Sequence, residues 1–497
     1  MRKYPLSVAV GPGGAHGGLS FAGKLLPMYR CMGAASMPPY TMVEPGTQVY
    51  REDLGVVMVS GPAGWSVLGH ERRAMGPGAR VALLGASIVA RCSPALASNI
   101  YTVYTMANWA ALTNARLGGI LEFTVFGGVG GDQIAAIKSR YASEIRPYLA
   151  AGDYVFLGGD GFGNSIANSV SVASMYADWL DVVGMILADG CTPIVATCPP
   201  NSQVTSATKQ ELWCGINRAV VETCRTDPRL VLVRWDVPHT DPTTTYADSP
   251  SGNGWTIDGT HQQPKLAIEY DKAFYNAILP RLTGGNLFLP WHTHNSDAYR
   301  LVENPTMSGN VGGVATSWAL SGAGTTGSKV ARTDKMGHNR EWQRLLSAAA
   351  GANAVLSPSA AFSLPVSGPL IPVPGVSYVK GYTRVQVNGT PVNLRGIQLD
   401  LQFTGGTTQR AIGLSTGSIA AASGGNYTDI GPYLPTGIPL VIETPAILLP
   451  AVATGIKTNI TVTKSGAGNM DADVYISDVM VRIYKSAPPQ SASGVID

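Results

Sequence analysis

Short apolar runs alternate with helical patterns through the middle of this 497-residue chain. The apolar runs are residues 80–85, 120–126, 154–158, 193–197 and 229–234. The helical patterns lie near residues 101–116, 132–149, 168–189, 207–225 and 264–283. Short apolar strands divided by helices are typical of βαβ units whose parallel sheet is covered on both faces. This part of the chain is therefore predicted to be an α/β domain with its active site at the carboxyl ends of the strands.

The pattern changes at about residue 300, where apolar and polar residues alternate with period two. Residues 377–387 and 473–484 show it clearly, and Asn388-Gly389 is a predicted turn between such segments. Period-two strands at this spacing predict an antiparallel β-sandwich. Residues 1–78 are rich in Gly, Pro and Met and have little periodicity. The predicted organisation is an N-terminal arm or small irregular β domain for attachment (1–78), the α/β domain (79–284), a linker (285–300), the sandwich (301–487) and a tail (488–497).

The composition narrows the function classes. Net charge is +3 and charged residues make up 13% of the chain, against about 25% in a typical soluble domain. So weak a charge argues against a nucleic-acid partner, which requires a basic surface. No apolar run approaches the roughly 18–20 residues of a membrane span, and no signal peptide is recognised at the N-terminus. The six cysteines include no CxxC pair, so free core thiols are expected instead of disulfides or a metal site.

Three residues on two loops suggest a serine hydrolase. Ser87 follows the first apolar run, where its hydroxyl would be exposed and its N–H free to stabilise an oxyanion. Asp258 and His261 share one loop before a predicted helix, at a spacing that lets the carboxylate orient the imidazole as a general base. Taken singly, each has a simpler explanation: Ser87 as a helix cap, and the other two as turn and helix-start residues.

Two glycine-containing segments offer further oxyanion donors. Residues 127–133 (GGVGGDQ) follow the second strand, and residues 161–166 (GFGNSI) follow the third. A glycine lets a backbone N–H approach a substrate oxygen closely, and the amide of Asn164 would add a second donor. The first segment is not a phosphate loop, because no Lys-Ser/Thr follows it. Ordinary turn chemistry remains the alternative for both segments.

These segments, in this order, resemble the sequence blocks of the SGNH (GDSL-type) hydrolase family. The matching residues are 84–88 (LGASI), 128–132 (GVGGD), 162–168 (FGNSIAN) and 258–261 (DGTH). The resemblance covers about 200 residues of the chain. It implies a three-layer α/β/α sandwich with a five-stranded parallel sheet, of the flavodoxin-like kind, and ester hydrolysis without a cofactor.

Carried over by position, the resemblance implies Ser87 as nucleophile, His261 as base and Asp258 as its orienting partner. Gly131 and Asn164, with the Ser87 N–H, would form the oxyanion hole. The chain departs from the family at two positions: Ala86 replaces an aspartate, and Ser165 stands where the third block usually has one. Neither position attacks or shuttles protons, but both losses point to a re-tuned site or one decaying toward binding alone.

Other candidate sites are less specific. His292 and His294 would project to one side of a strand and, with Asp297, could hold a metal; an exposed linker is the default interpretation. Three tryptophans of the C-terminal third could stack on sugar rings, although core packing is expected for at least two of them. These are Trp291, Trp318 and Trp342.

The C-terminal strands resemble, less specifically, the jelly-roll carbohydrate-binding modules that follow SGNH domains in bacteriophage tail proteins. The resemblance implies a virion spike or fibre subunit, synthesised in the host cytoplasm, often a homotrimer, with other tail proteins and a bacterial surface polysaccharide as partners. The leading hypothesis is an esterase that removes O-acetyl groups from that polysaccharide. A non-catalytic virion protein that binds a receptor or serves a structural role is the alternative, and a secreted bacterial lipase or carbohydrate esterase is a third.

Overall fold

The computed structural model describes the α/β region and most of the C-terminal region. The described residues are 75, 78–98, 101–105, 107–237, 245–247, 255–282, 301–302, 304, 306–333, 339–347, 353–364, 373–405, 410–415, 434–464 and 470–484, with six short strands before them. Those strands are β1 (Ser20–Phe21), β2 (Lys24–Leu25), β3 (Met28–Cys31), β4 (Gln48–Arg51), β5 (Val56–Gly61) and β6 (Gly64–His70). The first two pair with each other and the other four form a sheet. Apart from these strands and residues 75 and 78, the predicted arm lies outside the described residues, as do the linker at 285–300 and the tail at 488–497.

A five-stranded parallel sheet forms at the positions of the five apolar runs. Its strands are β7 (Ala79–Gly85), β10 (Leu121–Gly128), β11 (Tyr154–Leu157), β12 (Thr192–Ala196) and β13 (Val231–Val233). The spatial order is β10-β7-β11-β12-β13, and every pair is parallel. The order reverses beside β7, which places the ends of β7, β10 and β11 next to one another at one edge.

Helices cover both faces of this sheet, which confirms the predicted three-layer sandwich. They are α1 (Ser87–Ala90), α2 (Trp109–Arg116), α3 (Ile134–Arg140), α4 (Asp160–Ala167), α5 (Val172–Ala188), α6 (Ala207–Thr226) and α7 (Pro264–Ile278). Successive residues of one strand belong to different cores, as the two-residue period of a strand requires. Leu83 and Phe156 pack in the core that contains α2 and α7, whereas Leu84 and Leu157 pack in the core that contains α3 to α6.

The C-terminal region forms two antiparallel sheets, which confirms the predicted β-sandwich. The larger sheet runs β14 (Trp318–Ser321), β17 (Ala354–Pro358), β24 (Gly455–Lys464), β20 (Leu394–Thr404) and β21 (Arg410–Ser415), with β18 (Phe362–Ser363) beside β24. The smaller sheet runs β15 (Thr325–Thr333), β16 (Asn339–Ser347), β25 (Asp471–Tyr484), β19 (Tyr378–Val392) and β22 (Pro439–Glu443), with β23 (Ile447–Leu448) beside β19. The alternating apolar residues of both sheets face a shared core.

One segment of the α/β region belongs to the sandwich. Strands β8 (Ala95–Ser98) and β9 (Tyr101–Thr105) extend the larger sheet, where β9 pairs in parallel with β21. The helix predicted over 101–116 was therefore wrong for its first residues, and α2 begins only at Trp109. Asn108 sets this start, because its side chain accepts the N–H of Ala111 at 2.9 Å.

The α/β region and the sandwich share one continuous hydrophobic core, in which residues of α2 and α7 pack together with residues of both antiparallel sheets. A buried polar contact adds to it: the Asn114 amide donates to Glu443 at 3.0 Å, and Lys380 pairs with the same carboxylate at 2.8 Å. The sandwich thus packs against the α/β region along a broad apolar contact. Within the described residues, no helix is long and apolar enough to cross a membrane.

Candidate active site

Two predicted site residues, Ser87 and Gly131, lie at the carboxyl edge of the parallel sheet together with Asp160, which the sequence analysis did not single out. Ser87 comes two residues after β7 ends, residues 129–132 follow β10, and Asp160 comes three residues after β11 ends. Carboxyl ends of parallel strands meet at one edge of a sheet, and ligands bind there. Asp258 and His261 precede α7 on a loop of their own.

His261 and Asp258 form the hydrogen-bonded pair that the spacing predicts. The Nδ1 atom of His261 lies 2.6 Å from Asp258 Oδ2. The other carboxylate oxygen accepts the backbone N–H groups of His261 at 2.8 Å and Thr260 at 3.1 Å. Partial burial raises the pKa of Asp258, but these hydrogen bonds outweigh it, so that the pKa lies below the ordinary carboxyl value. The carboxylate is therefore charged at neutral pH and holds the imidazole by one nitrogen.

The loop of this pair is anchored on both sides. Ser202, on the loop after β12, donates its N–H to the Gly259 carbonyl at 3.0 Å, and its hydroxyl lies 2.9 Å from that of Thr260. Gln262 is fully buried, and its amide donates to the carbonyls of Ile88 at 3.0 Å and Ala107 at 3.3 Å. Both anchoring residues were missed by sequence reasoning.

The Gln262 contact joins the chain neighbour of His261 to the chain neighbour of Ser87. Gln262 follows His261 in the chain, and Ile88 follows Ser87. Among the described residues no hydrogen bond joins the Ser87 hydroxyl to the His261 ring. The direct contact of a catalytic triad, and with it the role of each of the three residues, stays a prediction.

Ser87 is half-buried at the first position of α1, and a buried carboxylate lies under it. Asp160 Oδ2 accepts three backbone N–H groups, from Ala86 at 3.0 Å, Ile88 at 2.8 Å and Val89 at 3.1 Å. Burial raises the pKa of Asp160, and the three N–H donors lower it in part. The Ser87 N–H has no acceptor among the described residues.

Gly131, a predicted oxyanion donor, occupies a tight turn. Asp132 N–H donates to the Val129 carbonyl at 3.4 Å, and Gly131 has a φ of +80°, which favours glycine. Val129 N–H donates to the Gly85 carbonyl at 3.2 Å, which ties the turn to the end of β7. No described atom lies within 4 Å of where a Gly131 Cβ would stand, and the Gly131 N–H has no acceptor in the described chain. The turn thus offers an unoccupied N–H at the same edge as Ser87.

Asn164, the other predicted donor, lies in the second turn of α4 and not in a loop. Its amide nitrogen donates to the Asp132 carbonyl at 2.8 Å. Because an amide nitrogen carries two hydrogens, one remains for a substrate oxygen. Its role in an oxyanion hole stays a prediction.

Arg140 links the loops, and sequence reasoning missed it. Its guanidinium donates to the carbonyls of Gly85 at 3.1 Å and Gly127 at 3.3 Å, the ends of two neighbouring strands. It also contacts the Asp132 carboxylate at 2.7 Å. The donors of one planar guanidinium therefore fix the relative position of the serine loop and the glycine turn.

The two departures from the family pattern have structural counterparts. Ser165 is buried, donates to the Gly161 carbonyl at 3.0 Å and accepts the Ile134 N–H at 3.2 Å, so that it joins α4 to the start of α3. Ala86 is fully buried, and the carboxylate beside its N–H comes from Asp160.

The remaining candidates carry no site in the described structure. Trp291, His292, His294 and Asp297 lie outside the described residues. Trp318 and Trp342 are buried, as core packing requires. Where side chains are described, no group of three metal-binding residues is close enough to hold an ion. The described cysteines are all free thiols; three are buried, one is intermediate, and Cys214 is exposed.

Comparisons with known proteins found likeness in structure only. No family model matches the sequence, and no curated protein matches it. The structure is similar to a lipase/acylhydrolase from Enterococcus faecalis, at 16% identity and a TM-score of 0.32, over 42% of this chain and 99% of that one. It is similar to a GDSL-like lipase from Bacteroides thetaiotaomicron, at 12% identity and a TM-score of 0.30, over 41% of this chain and 89% of that one. It is also similar to the enzymatically active domain of tailspike protein 4 from bacteriophage CBA120, at 14% identity and a TM-score of 0.23, over 37% of this chain and 21% of that one.

Proposed function

We propose that this protein is a serine esterase that removes O-acetyl groups from a bacterial surface polysaccharide, as a subunit of a bacteriophage spike or fibre. The observation that carries the esterase part is the Asp258–His261 pair at 2.6 Å, whose loop is anchored through Gln262 to the residue after Ser87. A serine, an oriented imidazole and unoccupied backbone N–H groups at one edge are the parts of acyl transfer. The virion setting, the homotrimer and the polysaccharide partner rest on the sequence resemblance alone.

In the first half of the reaction, Ser87 Oγ attacks the acetyl carbonyl carbon and its proton passes to His261 Nε2. The carbonyl oxygen becomes an oxyanion that the N–H groups of Ser87 and Gly131 would stabilise, with Asn164 as a third donor. The C–O bond to the sugar then breaks, and the sugar oxygen takes the proton from His261. The acetyl group remains on Ser87 as an ester.

In the second half, His261 removes a proton from a water molecule as that water attacks the acetyl carbonyl. The resulting intermediate breaks its bond to Ser87 Oγ, which takes back the proton, and acetate is released. Asp258 stays ionised throughout, holds the ring by Nδ1 and stabilises the imidazolium that forms in each step.

The test combines hydrolysis with covalent labelling. Wild-type protein should cleave p-nitrophenyl acetate and release acetate from an acetylated polysaccharide, and a fluorophosphonate probe should map to Ser87. Ser87→Ala should lose hydrolysis and labelling, while Ser143→Ala, at an exposed serine three residues after α3 ends, should keep both. The esterase proposal is overturned if wild type cleaves neither substrate, or if Ser87→Ala cleaves them equally well.

A non-catalytic virion protein that binds its receptor on this scaffold is the second candidate. The lack of a hydrogen bond between Ser87 and His261 among the described residues favours it. It predicts glycan binding that Ser87→Ala leaves unchanged, together with no fluorophosphonate label on wild type.

A further inference from the structure

Asp160 is a third carboxylate at the catalytic edge, and the reaction described above does not use it. It lies at the first position of α4, three residues beyond the end of β11, and only 5% of it is exposed. A carboxylate held away from water is costly unless hydrogen bonds compensate it. The groups that donate hydrogen bonds to Asp160 therefore show which part of the backbone this carboxylate stabilises.

Those contacts all go to one short stretch of backbone. Oδ2 accepts the N–H groups of residues 86, 88 and 89, at 2.8–3.1 Å, from a point more than 70 residues away in the chain. Oδ1 is buried and has no hydrogen-bond partner in the described structure. The carboxylate fits because Gly85 and Gly158 leave room: a Cβ on either would stand 2.8 or 2.5 Å from Oδ1.

Asp160 bonds some of the N–H groups around Ser87 and leaves one of them free. Helix α1 has four residues, and the residue before it, Ala86, has no side chain that could accept its free N–H groups. Asp160 accepts the N–H before Ser87 and the two after it, and leaves that of Ser87 itself unbonded. A backbone held at residues 86, 88 and 89, on both sides of the free N–H of residue 87, has little freedom to turn that N–H away.

We propose that Asp160 is a positioning residue that fixes the turn carrying Ser87, so that the Ser87 hydroxyl faces the base and the Ser87 N–H faces the oxyanion. It would replace, from another loop, the acid that the SGNH pattern has at position 86. The proposal rests on the proposed esterase function, because its effect is on the acylation of Ser87.

The expected effect follows from geometry. Displacing a reacting group by about 1 Å can cost about 10²-fold in rate. Asp160→Ala removes the acceptor for all three N–H groups, and we expect kcat to fall about 10²-fold with KM nearly unchanged. Asp160→Asn keeps the shape and one acceptor oxygen but loses the charge, which roughly doubles the strength of such bonds, so a fall of about tenfold is expected.

The control is Asp153→Asn, which makes the same chemical change at another buried acid. Asp153 accepts the Ala150 N–H at 2.8 Å and pairs with Arg80 at the opposite end of β11. It has no contact with the Ser87 turn, so its variant should leave kcat and the fluorophosphonate labelling rate near those of wild type.

Reactivity is measured on each full-length variant as kcat and KM for p-nitrophenyl acetate and as the second-order rate of fluorophosphonate labelling. Backbone mobility is measured as amide hydrogen exchange of the peptide that spans residues 84–92. Asp160→Ala should slow labelling in step with kcat and speed exchange at residues 86, 88 and 89, and Asp153→Asn should do neither. Unchanged kcat and exchange in Asp160→Ala would overturn the proposal. If wild type proves inactive, the esterase function fails, and exchange still decides: faster exchange supports the holding role, and unchanged exchange refutes it.

Discussion

Replacing Asp258 by asparagine is the most direct test of the catalytic pair. The carboxylate contacts His261 Nδ1 at 2.6 Å and accepts two backbone N–H groups. Asparagine keeps the size of the side chain but removes the charge, and an amide that turns its nitrogen toward the ring holds the wrong tautomer. Binding of substrate should change little, because the carboxylate faces the far side of the imidazole.

The solvent exposure of Asp258 and His261 sets the size of the expected fall in kcat. Side-chain exposure is 48% for Asp258 and 28% for His261, so water screens their interaction in part. Two unit charges about 4 Å apart interact by about 1 kcal/mol in bulk water and about 4 kcal/mol near a protein surface. Since about 1.4 kcal/mol is a factor of ten in rate, the loss lies between about 5-fold and about 10³-fold. We expect kcat for Asp258→Asn to fall about 10²-fold, less than the roughly 10⁴-fold known for a buried triad acid.

The assay is p-nitrophenyl acetate hydrolysis at pH 7, at low and at high salt, with Asp227→Asn as the matched control. Asp227 also accepts a nearby backbone N–H, from Arg229 at 3.0 Å, and pairs with the Arg229 side chain. It lies on the loop before β13, away from the catalytic edge. If Asp258→Asn keeps kcat within about twofold of wild type while Ser87→Ala is inactive, Asp258 does not orient the base. High salt should narrow the gap between Asp258→Asn and wild type, because it screens an exposed pair.

Three further outcomes are expected. Gln262→Leu removes the Gln262 amide donor from two buried carbonyls, so it should lower the free energy of unfolding by about 2–4 kcal/mol in urea titrations and lower kcat as well; unchanged kcat at full folding would show that the Gln262 anchor does not matter for catalysis. Arg140→Met should lower the free energy of unfolding by about 2–3 kcal/mol and slow fluorophosphonate labelling, since it releases both strand ends and Asp132. The control Arg225→Met, which removes an exposed ion pair on α6, should change neither quantity. For Asp160 the folded pKa is raised, so ionisation costs stability: the thermal midpoint of wild type relative to Asp160→Asn should be highest below the unfolded pKa of about 3.9 and fall as pH rises from there through the higher folded pKa. A relative midpoint that rises with pH over that window would contradict this direction.

Much of the fold was predictable because its signals are local. The five strands coincide with five apolar runs, since strands of a parallel sheet are buried on both faces and cannot alternate with polar residues. The period-two pattern of the C-terminal region likewise predicts its two sheets. The main error was over 101–105, where the pattern suits a helix. Pairing of β9 with β21, about 300 residues later, decided otherwise, and such tertiary context overrides local propensity.

Of the candidate site, the sequence predicted one contact directly, and it predicted the surrounding hydrogen bonds only in part. The spacing of Asp258 and His261 predicts their contact because the loop between them is short. The glycine at 131 was expected at a turn for the same local reason. In contrast, Gln262, Arg140 and Asp160 each act on at least one backbone group that lies 55 to 174 residues away. Their own surroundings in the chain look like an ordinary helix start or an ordinary charged helix face.

What the sequence determines by itself is therefore the succession of strands and helices and the choice of candidate site residues, because period and short-range spacing are properties of neighbouring residues. Only the tertiary structure decides that the carboxylate under Ser87 comes from Asp160 and that Gln262 links the His261 loop to the Ser87 turn. It also decides that strands β8 and β9 of the α/β region extend a sheet of the sandwich. The physical reason is that strand pairing and hydrogen bonds to backbone groups depend on distance in space. The local sequence around an Asp, Gln or Arg does not show which distant backbone group that side chain will contact.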